Sequence, residues 1–224
     1  MKAPLTILVI ALGASLSACG DAGNPGNGAN RNDAAAYDAA AYDVPARDAA
    51  ADASARFADE AAMLRWLREE EKLAHDVYVA LQGRSMIFTN IAASEQSHTE
   101  AVKTLLDRYG IADPSAGRAA GSFADPALQS LHDTLVARGR ASSVAALQVG
   151  AEIEELDIAD IREMRGVAMR ADVRATLDTL ERGSRNHLRA FWRQLQMAGA
   201  SYTPQHLDAA EFRAIAESAS EAGP

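Results

Sequence analysis

The sequence has little of what stabilises disulfide-rich or sheet-based folds. Cysteine occurs once in 224 residues, so no disulfide can form within the chain and stability must come from packing. Aromatic residues are only 5%, and glycine and proline are modest after the first stretch, which favours helix over sheet. The 48% hydrophobic content is enough to bury a core, and we predict one all-α domain. Positive charge is also scarce: the net charge of −9 argues against a nucleic-acid partner.

One apolar run stands at the N-terminus, from Leu5 to Leu16, after Lys2 and before the tetrapeptide LSAC that ends at Cys19. It predicts a signal peptide over residues 1–18, since it is too short to span ~30 Å of hydrocarbon. The tetrapeptide resembles a bacterial lipobox, which implies diacylation of Cys19 and a membrane anchor facing the periplasm. Gly20, rather than Asp, resembles lipoproteins sorted to the outer membrane. An ordinary secretory leader with an incidental cysteine is the alternative.

Residues 19–57 consist largely of Ala, Asp, Asn and Gly, with a near-repeat at 33–37 and 38–42. They contain too few branched apolar residues to fold. We interpret them as a flexible tether with a root-mean-square reach of ~35 Å, which leaves residues 58–219 as the folded domain.

Helical periodicity begins after the tether. Caps and glycine stops predict four long helices, A to D, at about 59–82, 85–109, 142–166 and 170–197. A short helix at about 126–139 lies in the long B–C connection, and a terminal helix is predicted at 204–218. Two long helices, a long crossover and two more long helices form the connectivity of ferritin-like four-helix bundles.

Charged residues interrupt the apolar stripes of helices B and D. Glu95 and His98 fall in the middle of the stripe of helix B as a Glu-x-x-His pair, and both side chains point the same way. His187 lies on the stripe of helix D, but Ser184 stands three residues earlier where a second such pair would have Glu. A carboxylate beside an imidazole is what a dimetal site needs. The alternatives are a surface pair and a core histidine with satisfied hydrogen bonds.

Helix C carries a pair of acidic residues on its apolar side. Glu154 and Asp157 lie one turn apart there, whereas Glu152 and Glu155 are predicted to project towards the polar side. This pair adds two candidate ligands.

Helix A carries three consecutive acidic residues, Glu69, Glu70 and Glu71. Helical periodicity alone favours Glu70 as the residue nearest the stripe. Since charge runs on helices are usually solvated, we expect at least one of the three to face water.

Four segments in order, 71–78, 94–98, 153–158 and 183–191, resemble a bacterial family of ferritin-like domains of unknown function, of the DUF2202 type. The resemblance covers about residues 60–215. More distantly, the chain is similar to bacterioferritin and rubrerythrin, whose first helix has Glu-x-x-Ala-x-x-x-Tyr. Glu71, Ala74 and Tyr78 match that spacing, so the resemblance favours Glu71 over Glu70.

The resemblance implies a role for each matching residue: Glu71 as a terminal ligand, Glu95 as a bridge, His98 as a terminal imidazole, Glu154 as a second bridge and His187 as the second imidazole. Ser184 departs from the pattern, which leaves one carboxylate missing. Asp157 is a candidate replacement. Tyr78 either relays electrons or hydrogen-bonds a ligand beside the site, or is a core tyrosine. His75, one turn after Glu71, either supports the ligands from outside or, as we expect, faces solvent. We expect His132 and His206 on the surface.

We expect two metal ions, with iron favoured and manganese as the alternative, because mixed oxygen and nitrogen ligation suits both. The resulting hypothesis is a di-iron oxidoreductase acting on O2, peroxide or ferrous iron. The alternative is a non-catalytic binding module with a structural or degenerate metal site, and a third interpretation is a metal-free helical bundle. The sequence leaves the oligomeric state open, a homodimer included.

Overall fold

The computed structural model of the protein describes residues 56–223, which form six α-helices and no strands. The helices are α1 (Glu60–Leu81), α2 (Ile87–Arg108), α3 (Pro126–Gly139), α4 (Ser143–Met164), α5 (Ala171–Met197) and α6 (Ala209–Ala216). The predicted all-helical class is confirmed. The predicted leader, Cys19 and nearly all of the predicted tether lie outside the described residues. Within residues 56–223, each helix is too short or too polar to cross a membrane.

Side-chain caps fix where most helices begin. Asp59 and Ser142 each accept a hydrogen bond from a backbone N–H in the first turn of α1 and α4. Asp125 caps α3, which has Pro126 in its first turn. The prediction of a terminal helix from residue 204 is wrong at its start, because Asp208 caps the helix and α6 begins at residue 209.

The long helices pack as two close pairs, α1 with α2 and α4 with α5. The pairs meet where α2 contacts α5 and α1 contacts α4, and α3 from the long connection packs on α1 and α4. Two hydrophobic clusters fill the interior. Along α1, α2 and α5, a short polar stretch separates the residues of the two clusters, at 68–72, 93–101 and 181–187. Buried charged residues therefore lie between two apolar layers.

The three consecutive acidic residues of α1 are all buried: Glu69, Glu70 and Glu71 are 3%, 4% and 1% exposed. The expectation that at least one of them faces water is wrong, because the long connection covers Glu69, Glu70 lies beside Asp160 of α4, and Glu71 faces His98 of α2. The carboxylate of Glu69 accepts hydrogen bonds from the backbone N–H groups of Ala124 and Asp125.

Glu155 is also fully buried, against the prediction that it projects towards the polar side. Its Oε2 accepts hydrogen bonds from three backbone N–H groups of the segment before α6, those of Gln205, His206 and Leu207, at 3.0–3.1 Å. The packed domain also begins before residue 58, because Phe57 is buried and Arg56 pairs with Asp160 of α4.

Candidate metal centre

Five buried or nearly buried side chains from four helices meet between the two apolar layers. They form two groups, each with ligand atoms within 4.8 Å of one another: Glu71, Glu95 and His98, and Glu95, Glu154 and His187. Glu95 belongs to both groups. Glu154 belongs to the second group, with Glu95 and His187.

The two imidazoles turn their Nδ1 atoms towards the shared carboxylate. His98 Nδ1 lies 2.8 Å from Glu95 Oε2 and 3.3 Å from Glu71 Oε2. His187 Nδ1 lies 2.7 Å from Glu95 Oε1 and 3.5 Å from Glu154 Oε2. The rings stack with centroids 5.6 Å apart and planes at 25°. Each oxygen of Glu95 therefore serves one imidazole, as a carboxylate that bridges two ions would.

The donor atoms of the centre contact one another, and no other group of the protein explains their burial. Within the described part of the chain, Nδ1 of His98, Nδ1 of His187, Oε1 of Glu71 and Oε1 of Glu95 make no hydrogen bond of good geometry, and both Nδ1 atoms face only the carboxylates of the centre. Buried polar groups are nearly always satisfied, and an unsatisfied one costs ~1–3 kcal/mol. Carboxylate and imidazole lone pairs converging in this way fit a metal ion.

The carboxylates and imidazoles of the centre shift one another's pKa values. Burial disfavours the charged forms of His98 and His187, but the surrounding carboxylates outweigh it and raise the pKa of His98 to about 12 and that of His187 to about 10. Burial also raises the pKa of Glu71, to about 7. The two imidazoles outweigh burial at Glu95 and hold its pKa well below the usual value. Without metal, two imidazolium protons occupy the centre and compete with any ion that binds there.

Neighbouring groups fix the orientation of the ligands from outside. Tyr78 donates its hydroxyl to Glu154 Oε1 at 2.5 Å. Ser94 Oγ lies 3.0 Å from His187 Nε2. His98 has the backbone of Gly183 at the corresponding place, where an added Cβ would come within 2.6 Å of its Cε1 and Nε2. Such outer contacts hold the ring orientation that a metal site requires.

Two weaker candidates lie near the centre but outside both groups. Glu70 has its carboxylate beside Asp160, and burial followed by that neighbouring charge raises its pKa well above the usual value. Asp157 is 7% exposed, and its Oδ2 accepts a hydrogen bond from the hydroxyl of Ser184. Burial, then the charges of Glu71 and Glu154, raise the pKa of Asp157 well above its usual value.

The remaining histidines stand outside both ligand groups. His75 pairs with Asp76. His132 is not the surface residue expected, because its side chain is 12% exposed and packs on Phe123. Ser94 and Gly183 were not predicted from the sequence as neighbours of the imidazoles. Each stands four residues before a candidate ligand histidine, Ser94 before His98 and Gly183 before His187. That repeated position is the signal that could have identified them.

Fold and site together define an all-helical protein whose core brings glutamate and histidine side chains into groups that could hold a metal ion. Residues 60–219 match the family described as an uncharacterized protein domain, DUF2202, and the chain belongs to that family.

A relative and a solved structure agree with this assignment. The chain is 45% identical over 159 residues to the uncharacterized protein MJ0754 of Methanocaldococcus jannaschii, which covers 70% of this chain and 86% of that protein. The crystal structure of the hypothetical protein MJ0754 from Methanococcus jannaschii DSM 2661 is similar with a TM-score of 0.70 and 44% identity, over 72% of this chain and 93% of that one. These similarities support the helical fold.

Proposed function

We propose that this domain is a ferritin-like four-helix bundle that holds two metal ions and acts as a non-haem di-iron oxidoreductase. One observation carries the proposal: two buried ligand groups share Glu95, and each adds an imidazole and a carboxylate of its own. A shared carboxylate between two ligand sets is the arrangement that a pair of ions needs.

The connectivity supports the ferritin-like part of the proposal. The helix pairs α1–α2 and α4–α5 are joined by a long connection that carries α3, and all four long helices contribute a ligand candidate. A bundle with one long crossover and inward-facing carboxylates and histidines is typical of ferritin-like dimetal proteins.

Each ligand residue has a definite part in the proposed site. Glu71 and His98 hold one ion, Glu154 and His187 hold the other, and Glu95 bridges them. When bound, a pair of iron ions supplies electrons for the reduction of O2 or peroxide. Manganese suits the same donors.

The surrounding protein contributes orientation and proton storage. The hydroxyl of Tyr78 holds Glu154, and that of Ser94 holds the outer edge of His187. The protons that His98 and His187 carry at Nδ1 in the metal-free state leave when ions bind, so binding releases protons and strengthens as pH rises.

The test is an anaerobic titration of the purified, chelator-free protein with Fe(II), followed by exposure to O2 or peroxide. We expect two iron ions per chain and peroxide- or O2-dependent oxidation of the bound iron. Zinc alone with no turnover would instead indicate a structural metal clip in a binding module. That second candidate is favoured by one observation, the serine at position 184 where a carboxylate would complete the ligand set.

Two histidine variants and a control decide whether the centre binds metal at all. His98→Ala and His187→Ala should each lose most of the metal-dependent rise in melting temperature. His132→Ala removes a histidine that packs on Phe123 away from the centre, and it should keep that rise. If both site variants are as stable as the parent protein with and without metal, the domain is a metal-free helical bundle.

The sequence of the N-terminus supports a location in the cell envelope. In this proposal, Cys19 is diacylated after leader removal and anchors the domain to a membrane on the periplasmic side, the outer membrane in preference to the inner. Expression in a bacterial host with a labelled fatty acid should label the protein, and Cys19→Ala should remove both the label and membrane association. Retention of either would refute the anchor.

A further inference from the structure

Helices α2 and α5 carry matching segments around the centre. Each has a histidine at the end of a four-residue segment, His98 in α2 and His187 in α5, and both Nδ1 atoms face Glu95. The residue just before each segment contacts the histidine of the other helix: Ser94 contacts His187, and Gly183 lies against His98. The contacts run in both directions, so α2 and α5 are related by an approximate two-fold arrangement.

Helices α1 and α4 are related by the same approximate two-fold arrangement. Glu71 of α1 completes the group of His98, and Glu154 of α4 completes the group of His187. One helical turn later, α1 has Ala74 whereas α4 has Asp157.

The two halves of the centre, α1 with α2 and α4 with α5, therefore differ in the position of the remaining carboxylate. On α2 it is Glu95, and the position one turn after the α1 ligand is Ala74. On α5 the position that matches Glu95 is Ser184, and the position one turn after the α4 ligand is Asp157. In one half the carboxylate is on the helix that carries the histidine, and in the other half it is on the neighbouring helix, with a small residue at the alternative position each time. Ser184 Oγ donates a hydrogen bond to Asp157 Oδ2.

We propose that Asp157 is the fourth carboxylate of the metal centre, occupying the second bridging position that Ser184 leaves, and that the Ser184 hydroxyl orients it. This inference rests on the proposed function. Asp157 Oδ1 is buried and has no hydrogen-bond partner within residues 56–223, so one oxygen is held by Ser184 and the other is free for an ion.

The charge of the centre supports a fourth carboxylate. Glu71, Glu95 and Glu154 supply three negative charges against the four positive charges of two divalent ions, with both imidazoles neutral. Asp157 brings the sum to zero, which matters because an uncompensated charge in a dry interior is costly. Asp157 stands outside both groups of ligand atoms, so its side chain must turn inwards when the ions bind.

The decisive experiment titrates the full-length protein anaerobically with Mn(II), a redox-silent probe, and with Fe(II). Asp157→Asn removes the charge with little change of shape, and we expect its affinity for the second ion to fall at least ~10-fold, because losing a ligand costs no less than losing a group that orients one. Ser184→Ala keeps the carboxylate but loses its orientation, so it should show a smaller loss. The matched control is Asp160→Asn, a buried aspartate one turn along α4 that pairs with Arg56 instead, and it should still bind two ions.

A rescue variant tests the bridging position itself. Asp157→Ala combined with Ser184→Glu moves the carboxylate to α5, opposite Glu95, and should recover the second ion relative to Asp157→Asn. A folded double variant that binds as weakly as Asp157→Asn would overturn the bridging position.

The outcomes separate this inference from the function on which it rests. If the parent protein binds no ions, the proposed function fails. If the parent protein and Asp157→Asn both bind two ions with equal affinity, only the role of Asp157 is refuted. If Ser184→Ala binds like the parent protein, Ser184 does not position the carboxylate.

Discussion

Gly183→Ala should impair the metal centre without removing any ligand. Gly183 lies in α5 against the imidazole of His98, and a Cβ there would come within 2.6 Å of ring atoms Cε1 and Nε2. Carbon atoms in contact stay about 3.5 Å apart, so the ring or the helix must move by about 0.9 Å. Ligand positions in a metal site tolerate deviations of about 0.2 Å. The displaced imidazole can then no longer hold its ion.

Gly183→Ala should change the free energy of unfolding only moderately but weaken metal binding strongly. Alanine is a better helix former than glycine by about 1 kcal/mol, and overpacking costs about 1–3 kcal/mol. The metal-free variant should therefore lose at most about 2 kcal/mol in its free energy of unfolding. Metal affinity in the group of His98 should fall at least ~10-fold, while the group of His187 keeps its ion.

The assay is a Mn(II) titration beside urea unfolding of the metal-free protein. Gly139→Ala is the matched control, because a Cβ there would come within 2.5 Å of Leu81 Cδ1, and neither residue belongs to a ligand group. It should cost a similar free energy of unfolding and still bind two ions. If Gly183→Ala binds both ions with parental affinity, His98 is not a ligand and the reasoning is refuted.

Three further predictions concern groups around the centre and in the connecting segments. Tyr78→Phe keeps the ring packing but leaves Glu154 without its donor, so the free energy of unfolding should fall by about 1–3 kcal/mol in urea titration and metal affinity by about tenfold. Burial opposes ionisation of Asp76, but its hydrogen bonds outweigh burial and lower its pKa from 3.8 to about 2, so its contribution is present above pH 3.8 and lost as pH falls through 2. Asp76→Asn should accordingly cost about 1 kcal/mol at pH 7, allowing for solvent screening, and much less at pH 2, where the contribution is being lost; an equal cost at both pH values contradicts this. Glu155→Ala leaves three backbone N–H groups unpaired, so it should cost about 3 kcal/mol and speed hydrogen exchange at amides 205–207; unchanged exchange there would contradict the assigned contacts.

The helices could be predicted from the sequence because their signals are local. Asp59, Asp125 and Ser142 cap helices that begin at the next residue, and the side chain of each reaches only its own first turn. The start of the terminal helix was predicted wrongly because the prediction depended on the proline at 204. Asp208 is the stronger local signal for the start of that helix. Periodicity likewise indicated Glu95, His98 and His187, because a charged residue in the middle of an apolar stripe is visible in one helix alone.

The direction of neighbouring glutamates could not be read from one helix. Glu69, Glu70 and Glu71 are consecutive and all buried, yet Glu69 binds the long connection, Glu70 lies beside Asp160 and only Glu71 reaches the histidines. Periodicity favoured Glu70, and only the family resemblance favoured Glu71. Which segment covers each face of α1 depends on residues as far as 56 positions away in the chain, as the contact between Glu69 and Asp125 shows.

The sequence by itself determined an all-helical domain, the order of its helices and most of the ionisable residues that their apolar faces carry, because propensity, capping and periodicity act within a few residues. Tertiary structure alone decided that Glu95 is shared by two histidines, that Ser184 meets Asp157, and that Glu155 is buried under a later segment. These are contacts between helices. Their existence depends on packing that brings distant residues within a few ångströms, which no single-helix pattern records.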